Sequence, residues 1–64
     1  MLHTITARNL QANDVLAGSG FVVSLNPWVG VRTPSGKVNV EGRYPRSLVE
    51  RHVWNANTTV TVRR

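Results

Sequence analysis

The stretch "WVGVRTPSGKVNVEG", residues 28–42, predicts an antiparallel hairpin and with it an all-β fold. Pro34 and Gly36 suit the second and fourth positions of a type I turn. Valines alternate with other residues on both sides of that turn, which is the period of a strand with one buried face. We therefore expect two strands joined by the turn, over residues 28–33 and 37–42.

Pairing outward from the turn places Arg32 opposite Lys37 and Val31 opposite Val38. The remaining pairs in this register are Gly30 with Asn39, Val29 with Val40, and Trp28 with Glu41. We expect the face that carries all four valines to point into the core. The other face then presents Trp28, a glycine gap and two cations to solvent. Like charges in cross-strand positions repel by a few tenths of a kcal/mol, and a bound phosphate would turn that penalty into attraction.

Such a face has two interpretations. An aromatic ring beside cations is a platform for the backbone or the bases of nucleic acid. The alternative is an ordinary solvated hairpin, in which Trp28 packs on an arginine stem or a neighbouring loop.

The rest of the chain also has the pattern of short antiparallel strands, because turn-forming residues recur every eight to twelve positions. The predicted strands are Leu2–Thr6, Asp14–Ala17, Phe21–Leu25, Trp28–Thr33, Lys37–Gly42, Val49–Trp54 and Thr58–Arg63. We expect one domain over residues 1–64, a small and partly closed antiparallel barrel of five to seven strands. Pairing of the first and last strands would protect their edges.

Residues 47–54 fit two structures. Ser47 followed by Glu50 at the third position is a capping-box pattern that starts helices, whereas Val49, Val53 and Trp54 favour a strand. We favour a strand that forms a hairpin with residues 37–42 through "RYPRS". Alternation then turns Trp54 away from Val49 and Val53 and into the core. The other expected core residues are Ile5, Leu10, Leu16, Phe21, Val23 and Leu25.

Charge is the outlier of the composition. Eight Arg and Lys residues face three Asp and Glu residues, which gives a net charge of +5 and a sequence pI near 11.6. All but one of these cations are arginines, which suit phosphate and carboxylate. The balance favours nucleic acid or an acidic protein surface as partner. The alternative is that the positive charge contributes only to solubility.

The run "GRYPRSLVER", residues 42–51, adds three arginines around a tyrosine. Such a run clamps phosphates and stacks on bases, or it is an ordinary exposed turn. The candidate nucleic-acid-binding residues are Trp28, Arg32, Lys37, Arg43, Tyr44, Arg46 and Arg51.

No residue pattern points to catalysis, a metal or a cofactor. The chain has no cysteine. His3 and His52 lack metal-ligand spacing, and no serine lies in a nucleophile elbow. No apolar run resembles a signal peptide or approaches the roughly 20 residues that cross a bilayer. We expect a cytoplasmic protein that is not an enzyme, has no cofactor and does not associate with membranes.

"TITARNLQANDVLAGSGFVVS" (residues 4–24) and "HVWNANTTVTVRR" (52–64) resemble a pattern in small proteins of actinobacterial phages and their hosts. In that pattern a first strand leads to "A-x-x-L-x-x-x-D-V", and the chain ends in "T-x-V-x-V". The usual "GD" is Asn13-Asp14 here, and Asn tolerates the left-handed conformation of glycine. The resemblance implies an SH3-like or related small barrel, a viral origin and a location in host cytoplasm. Together with the strand pattern, it leads us to expect an SH3-like or OB-like barrel. It implies no activity.

The sequence therefore predicts a non-catalytic module that contacts nucleic acid through a basic, Trp-containing face. One alternative is a phage-type protein that binds a host or phage protein as an inhibitor or adaptor, or through strand addition at a sheet edge. Another is a structural homo-oligomer.

Overall fold

The computed structural model describes all 64 residues and contains one sheet of six antiparallel strands. The strands are β1 (Leu2–Thr6), β2 (Val15–Leu16), β3 (Val22–Val23), β4 (Lys37–Arg43), β5 (Glu50–Asn55) and β6 (Thr59–Arg63). Their order across the sheet is β1-β6-β2-β3-β4-β5, so hydrogen bonds do not close the sheet and β1 and β5 form its edges. The all-β prediction is confirmed. None of the chain's helical structure, a single 3₁₀ turn at Ala7–Asn9, has the length or apolarity to span a membrane.

The first and last strands pair as predicted. The β1–β6 register runs from Leu2 opposite Arg63 to Thr6 opposite Thr59. The other edge of β6 pairs with β2, since Leu16 lies opposite Val62. β6 is thus an interior strand of the sheet, and its most buried residue is Val62.

Residues 50–55 form a strand, and the helical alternative for residues 47–54 is wrong. β5 pairs with β4 from Lys37 opposite Asn55 to Gly42 opposite Glu50. Ser47 does not cap a helix, because its hydroxyl accepts a hydrogen bond from the Tyr44 N–H at 3.0 Å and closes the turn between the two strands. The hairpin expected through "RYPRS" is confirmed.

For the hairpin predicted over residues 28–42, the prediction of a first strand over residues 28–33 is wrong. Of residues 28–33, only Trp28 pairs with β4, and it lies opposite Asn39 rather than Glu41. The register is shifted by two positions, so Trp28 still shares a face with Asn39 as expected. Val38 and Val40 are buried as predicted, but Val29 and Val31 are 70% and 105% exposed.

Competition for one edge of β4 explains why residues 29–33 do not form the predicted strand. β3 already occupies that edge, with Val23 opposite Gly42 and with the Ser24 N–H bonded to the Glu41 carbonyl. Only the first residues of β4 remain available to residues 28–33. After Trp28 the chain therefore leaves the sheet through two consecutive turns, closed by Thr33 N–H to Gly30 O (3.1 Å) and Lys37 N–H to Pro34 O (3.2 Å).

The core lies on one side of the sheet and is centred on Phe21. Its seven buried apolar residues are Ala7, Leu10, Phe21, Val23, Val38, Val40 and Val62. The Phe21 ring centroid lies 5.1 Å from that of Tyr44 and 5.8 Å from that of Trp54. Trp54 is half-buried and packs on the core as expected, whereas Leu25 is 41% exposed and its core assignment is wrong.

A partly buried ion pair joins the first loop to the residue that follows β6. The Asp14 side chain accepts hydrogen bonds from Arg64 Nε and Nη2, both at 2.8 Å, and from the Gln11 N–H at 2.9 Å. The hydrogen bond from Arg64 is the main reason that the pKa of Asp14 is lowered from its ordinary value. The preceding Asn13 has φ 76°, the left-handed conformation that a glycine would adopt.

Candidate nucleic-acid interface

Alternate residues of β4 and β5 point away from the core and form a surface that we call the outer face. In β4 these residues are Lys37, Asn39, Glu41 and Arg43, and their partners in β5 are Asn55, Val53 and Arg51. Because directly paired residues of antiparallel strands share a face, the register fixes this set. The outer face thus carries cations at both ends of β4.

Trp28 reaches the outer face through two backbone hydrogen bonds. Its N–H donates to the Asn39 carbonyl at 3.2 Å, and the Asn39 N–H donates to the Trp28 carbonyl at 2.8 Å. Arg51 extends over it from β5, with its Cζ 5.5 Å from the indole centroid. This distance is within the range of a cation–π interaction, which holds the guanidinium beside the ring.

Between these residues lies a groove of about 320 Å³, which we call the Trp28 groove. It is lined by Trp28, Gly30, Arg32, Thr33, Asn39, Arg51 and Val53. Two of its seven residues are arginines, and none is acidic.

Thr33 organises one end of the groove. Its Oγ1 accepts hydrogen bonds from the Gly30 N–H and from Asn39 Nδ2, both at 2.8 Å. A hydroxyl has two acceptor lone pairs and one hydrogen, so both lone pairs are used and the O–H remains available to donate. The turn of residues 30–33 thereby presents a donor to the groove.

Gly30 keeps the groove open. A Cβ at this position would lie 3.6 Å from Asn39 Nδ2 and from Thr33 Oγ1, and 3.8 Å from the indole Nε1 of Trp28. These are ordinary contact distances, so a methyl group fits there without a clash but occupies groove space. The same distances show that the indole nitrogen faces the Gly30 side of the groove.

The groove is rich in hydrogen-bond donors. The Trp28 indole N–H and the Arg32 guanidinium make no hydrogen bond within the chain, and the Arg51 guanidinium makes only one, to Glu41 Oε1 at 3.3 Å. An arginine has five N–H donors, so most of those of Arg51 are free. The Asn39 amide oxygen is the side-chain acceptor that stays free at the site, since both lone pairs of Thr33 Oγ1 are used. This arrangement suits an anion with several oxygen atoms.

The structure brings together three of the seven predicted site residues, namely Trp28, Arg32 and Arg51. Lys37 and Arg43 share the outer face but do not line the groove. Arg46 lies in the turn between β4 and β5 with φ 66°. The ring of Tyr44 packs edge-on against Phe21 and is half-buried.

Gly30, Thr33, Asn39 and Val53 also line the groove, and they are not among the site residues predicted from the sequence. For Asn39 and Val53 a signal was available, because pairing β4 with β5 through "RYPRS" sets them opposite each other on the outer face. For Thr33 there was none, since its role depends on a turn that replaces the predicted strand.

Outside the groove, the remaining acidic residues are engaged elsewhere. Glu50 Oε1 lies 3.1 Å from His52 Nε2, and Asp14 pairs with Arg64. No group of three or more His, Cys, Asp or Glu residues is close enough together to hold a metal ion.

Comparison with known proteins identifies no relative of the chain. No family model matches it, and no curated protein or solved structure matches it significantly. The resemblance to small barrels of phages and their hosts therefore stays a prediction, and a function has to be argued from the groove itself.

Proposed function

We propose that the protein is a non-catalytic module that binds nucleic acid through its backbone phosphates at the Trp28 groove. One observation carries the proposal: two guanidinium groups and an indole N–H converge on a groove that no carboxylate lines. Arginine forks match the geometry of phosphate oxygens and form the stronger, charge-assisted class of hydrogen bond.

The groove favours the backbone over the bases. The Arg51 guanidinium already lies over the Trp28 ring, 5.5 Å from its centroid, so one face of the indole is covered. The indole N–H and the Thr33 hydroxyl remain as donors at the groove, where they complement phosphate oxygens. Contacts of this kind position a nucleic acid without selecting its sequence.

The charge distribution around the groove supports the same partner. Arg51 and Arg64 have acidic partners, which leaves six of the eight Lys and Arg side chains unpaired. Two of these six, Lys37 and Arg43, stand at opposite ends of β4 on the outer face, roughly 20 Å apart at the usual rise per residue. A nucleic-acid strand bound along β4 would contact a cation at each end of β4, and its phosphates would pass next to the Trp28 groove.

Fluorescence anisotropy with labelled oligothymidine, and with a duplex of equal length, tests the proposal between 50 and 200 mM salt. The affinity should fall steeply with salt, by about 0.7 in log–log slope for each phosphate contacted on a single strand and about 0.9 on a duplex. Arg32→Gln should weaken binding and reduce the slope by about 0.7 on oligothymidine. Arg32 is preferred to Arg51 because its loss leaves no carboxylate unpaired.

Arg8→Gln is the matched control, since Arg8 is exposed, forms no ion pair and does not line the groove. It removes the same net charge and should have the smaller effect. Absence of binding at 50 mM salt would refute the proposal, and equal losses in the two variants would refute the groove as the binding site.

The exposed side chains near β5 support a second candidate, an edge that accepts a strand of another protein. β5 is an edge strand, and Leu48, Val49 and Val53 are 87%, 57% and 47% exposed. Unpaired edge strands are templates for strand addition. Binding through this edge should depend on Val53 and only weakly on salt, whereas phosphate binding should depend on Arg32 and strongly on salt.

A further inference from the structure

We infer that Glu41 is an internal competitor for the anion at the Trp28 groove, which a ligand has to displace from Arg51. The inference rests on the function proposed above. Glu41 lies directly opposite Arg51 in the β4–β5 register, and its Oε1 contacts Arg51 Nη2 at 3.3 Å. Glu41 itself does not line the groove. One of the two guanidiniums that would hold a ligand therefore has a carboxylate neighbour of its own.

The Glu41–Arg51 ion pair has a geometry that allows Arg51 to leave Glu41 for another anion. It consists of one contact, and the Arg51 side chain is 66% exposed. The Asp14–Arg64 pair provides a contrast within the same chain, because two hydrogen bonds of 2.8 Å join its members and Asp14 is 4% exposed. An exposed pair with a single contact contributes little to stability, so an anion in the groove can take Arg51 from Glu41 at small cost.

The identity of the competitor determines which ligands succeed. A single carboxylate offers Arg51 nothing that Glu41 does not already provide, and it also meets the negative charge of Glu41. A phosphodiester chain presents oxygens to Arg32, Thr33 and Arg51 together and gains from the release of its condensed counterions. Glu41 thus penalises every anion, and contiguous phosphates are best able to overcome the penalty.

Oligothymidine and poly-L-glutamate, with wild-type protein and Glu41→Gln, test this inference. Glu41→Gln should tighten binding of oligothymidine by about two- to fivefold, the range expected from one exposed charge pair. It should tighten binding of poly-L-glutamate as well, because the negative charge of Glu41 acts on every anion in the groove. Thermal unfolding of each variant checks that the fold is retained, and the isosteric amide preserves the packing of the half-buried side chain.

Glu50→Gln is the matched control. Glu50 is next to Arg51 in the chain but on the opposite face of β5, where it contacts His52. This variant changes the net charge by the same amount and should leave both affinities close to those of the wild type. Equal gains in the two variants would reduce the effect to net charge and overturn the inference, as would unchanged binding in Glu41→Gln.

The double variant Glu41→Gln/Arg51→Gln shows whether Glu41 acts through Arg51. In the Arg51→Gln background the gain from Glu41→Gln should shrink, and a full gain there would overturn the inference. Wild-type protein that fails to bind oligothymidine would overturn both this inference and the proposed function. Binding that depends on Arg32 but is unchanged in Glu41→Gln would overturn the competitor role alone.

Discussion

The two flanks of β4 have opposite characters. On one side β5 pairs with it in an unbroken register from Lys37 to Gly42. On the other side, β3 forms two residue pairs with β4, and residues 25–27 are unpaired. Trp28 then adds one isolated bridge. Alternating valines thus form a strand only where a neighbouring strand has an edge to offer, because the backbone N–H and C=O groups must also find partners.

The candidate site needs both flanks. The regular side fixes Arg51 and Asn39 on the outer face at positions set by the register. The irregular side supplies the wall of the groove, since the turns after Trp28 place Gly30 and Thr33 beside the indole. A rigid strand pair therefore carries one guanidinium, and a loop that has left the sheet shapes the space in front of it.

An added methyl group should have a large effect within β4 and a small effect in the irregular flank. A Cβ on Gly42 would lie 2.2 Å from the Val22 carbonyl oxygen and 2.7 Å from the Phe21 ring, whereas one on Gly30 meets only ordinary contacts. We expect Gly42→Ala to cost more than about 3 kcal/mol, most of the stability of a domain of this size. Gly30→Ala should change stability by less than about 0.5 kcal/mol while weakening oligothymidine binding. Urea unfolding followed by tryptophan fluorescence measures the stability of both variants, and a Gly42→Ala protein as stable as the wild type would contradict the prediction.

A valine of β4 and a valine of the irregular flank should differ in stability by the next largest margin. Val40 is fully buried, so Val40→Ala should cost about 2 kcal/mol through lost burial and the cavity it leaves, and should lower Tm by roughly 10 °C. Val31→Ala should leave Tm nearly unchanged, because Val31 is 105% exposed. Similar losses in the two variants, measured by calorimetry, would restore the valine face that the hairpin pattern predicted.

Acid should act on the β3 flank through Asp14. The Val23 N–H donates to the Asp14 carbonyl at 2.9 Å, so the loop that holds the Asp14–Arg64 pair also holds β3. Because the pKa of Asp14 is lower in the folded chain than its ordinary value of 3.8, the pair stabilises the fold above that pH. This stabilisation is lost as the pH falls through the folded pKa.

Unfolding measured between pH 5 and pH 2 checks this prediction. Asp14→Asn should be less stable than the wild type at neutral pH and should show a shallower loss of stability in acid. Parallel acid limbs for the two proteins would show that Asp14 does not control the acid response.

The smallest effect is expected at the bridge between the flanks, where Arg51 lies over Trp28. Arg51→Gln removes an exposed ion pair and an exposed cation–π contact, so it should cost less than about 1 kcal/mol. It should nevertheless change the tryptophan emission and weaken oligothymidine binding. A large loss of stability, seen in thermal unfolding, would mean that Arg51 has a mainly structural role.

Much of the fold could be predicted from the sequence because turn residues and alternation are local signals. The bounds of β1 are as predicted, and the pairing of residues 37–42 with residues 50–54 follows from the "RYPRS" turn. Trp54 also faces the core as its position in the alternation required. Each of these features depends on residues within one strand or one hairpin.

The failures have a different origin. Residues 29–33 carry the local pattern of a strand, but their place beside β4 is taken by β3, and sequence alternation does not show which segment wins an edge. The site inherits this error: Trp28, Arg32 and Arg51 meet in the groove, although the proposed pairing of Arg32 with Lys37 is absent. Leu25 is exposed because it lies in the unpaired segment between β3 and Trp28.

The pairing of β1 with β6 has a consequence for the speed of folding. It joins Leu2 to Arg63, so almost the entire chain forms the enclosed loop, and the entropy of closing that loop is lost before any of those contacts form. The β4–β5 hairpin encloses only a few residues and should assemble first, in microseconds when considered alone. Sheets dominated by distant contacts fold in milliseconds to seconds, and we expect the closing of β1 on β6 to set that rate.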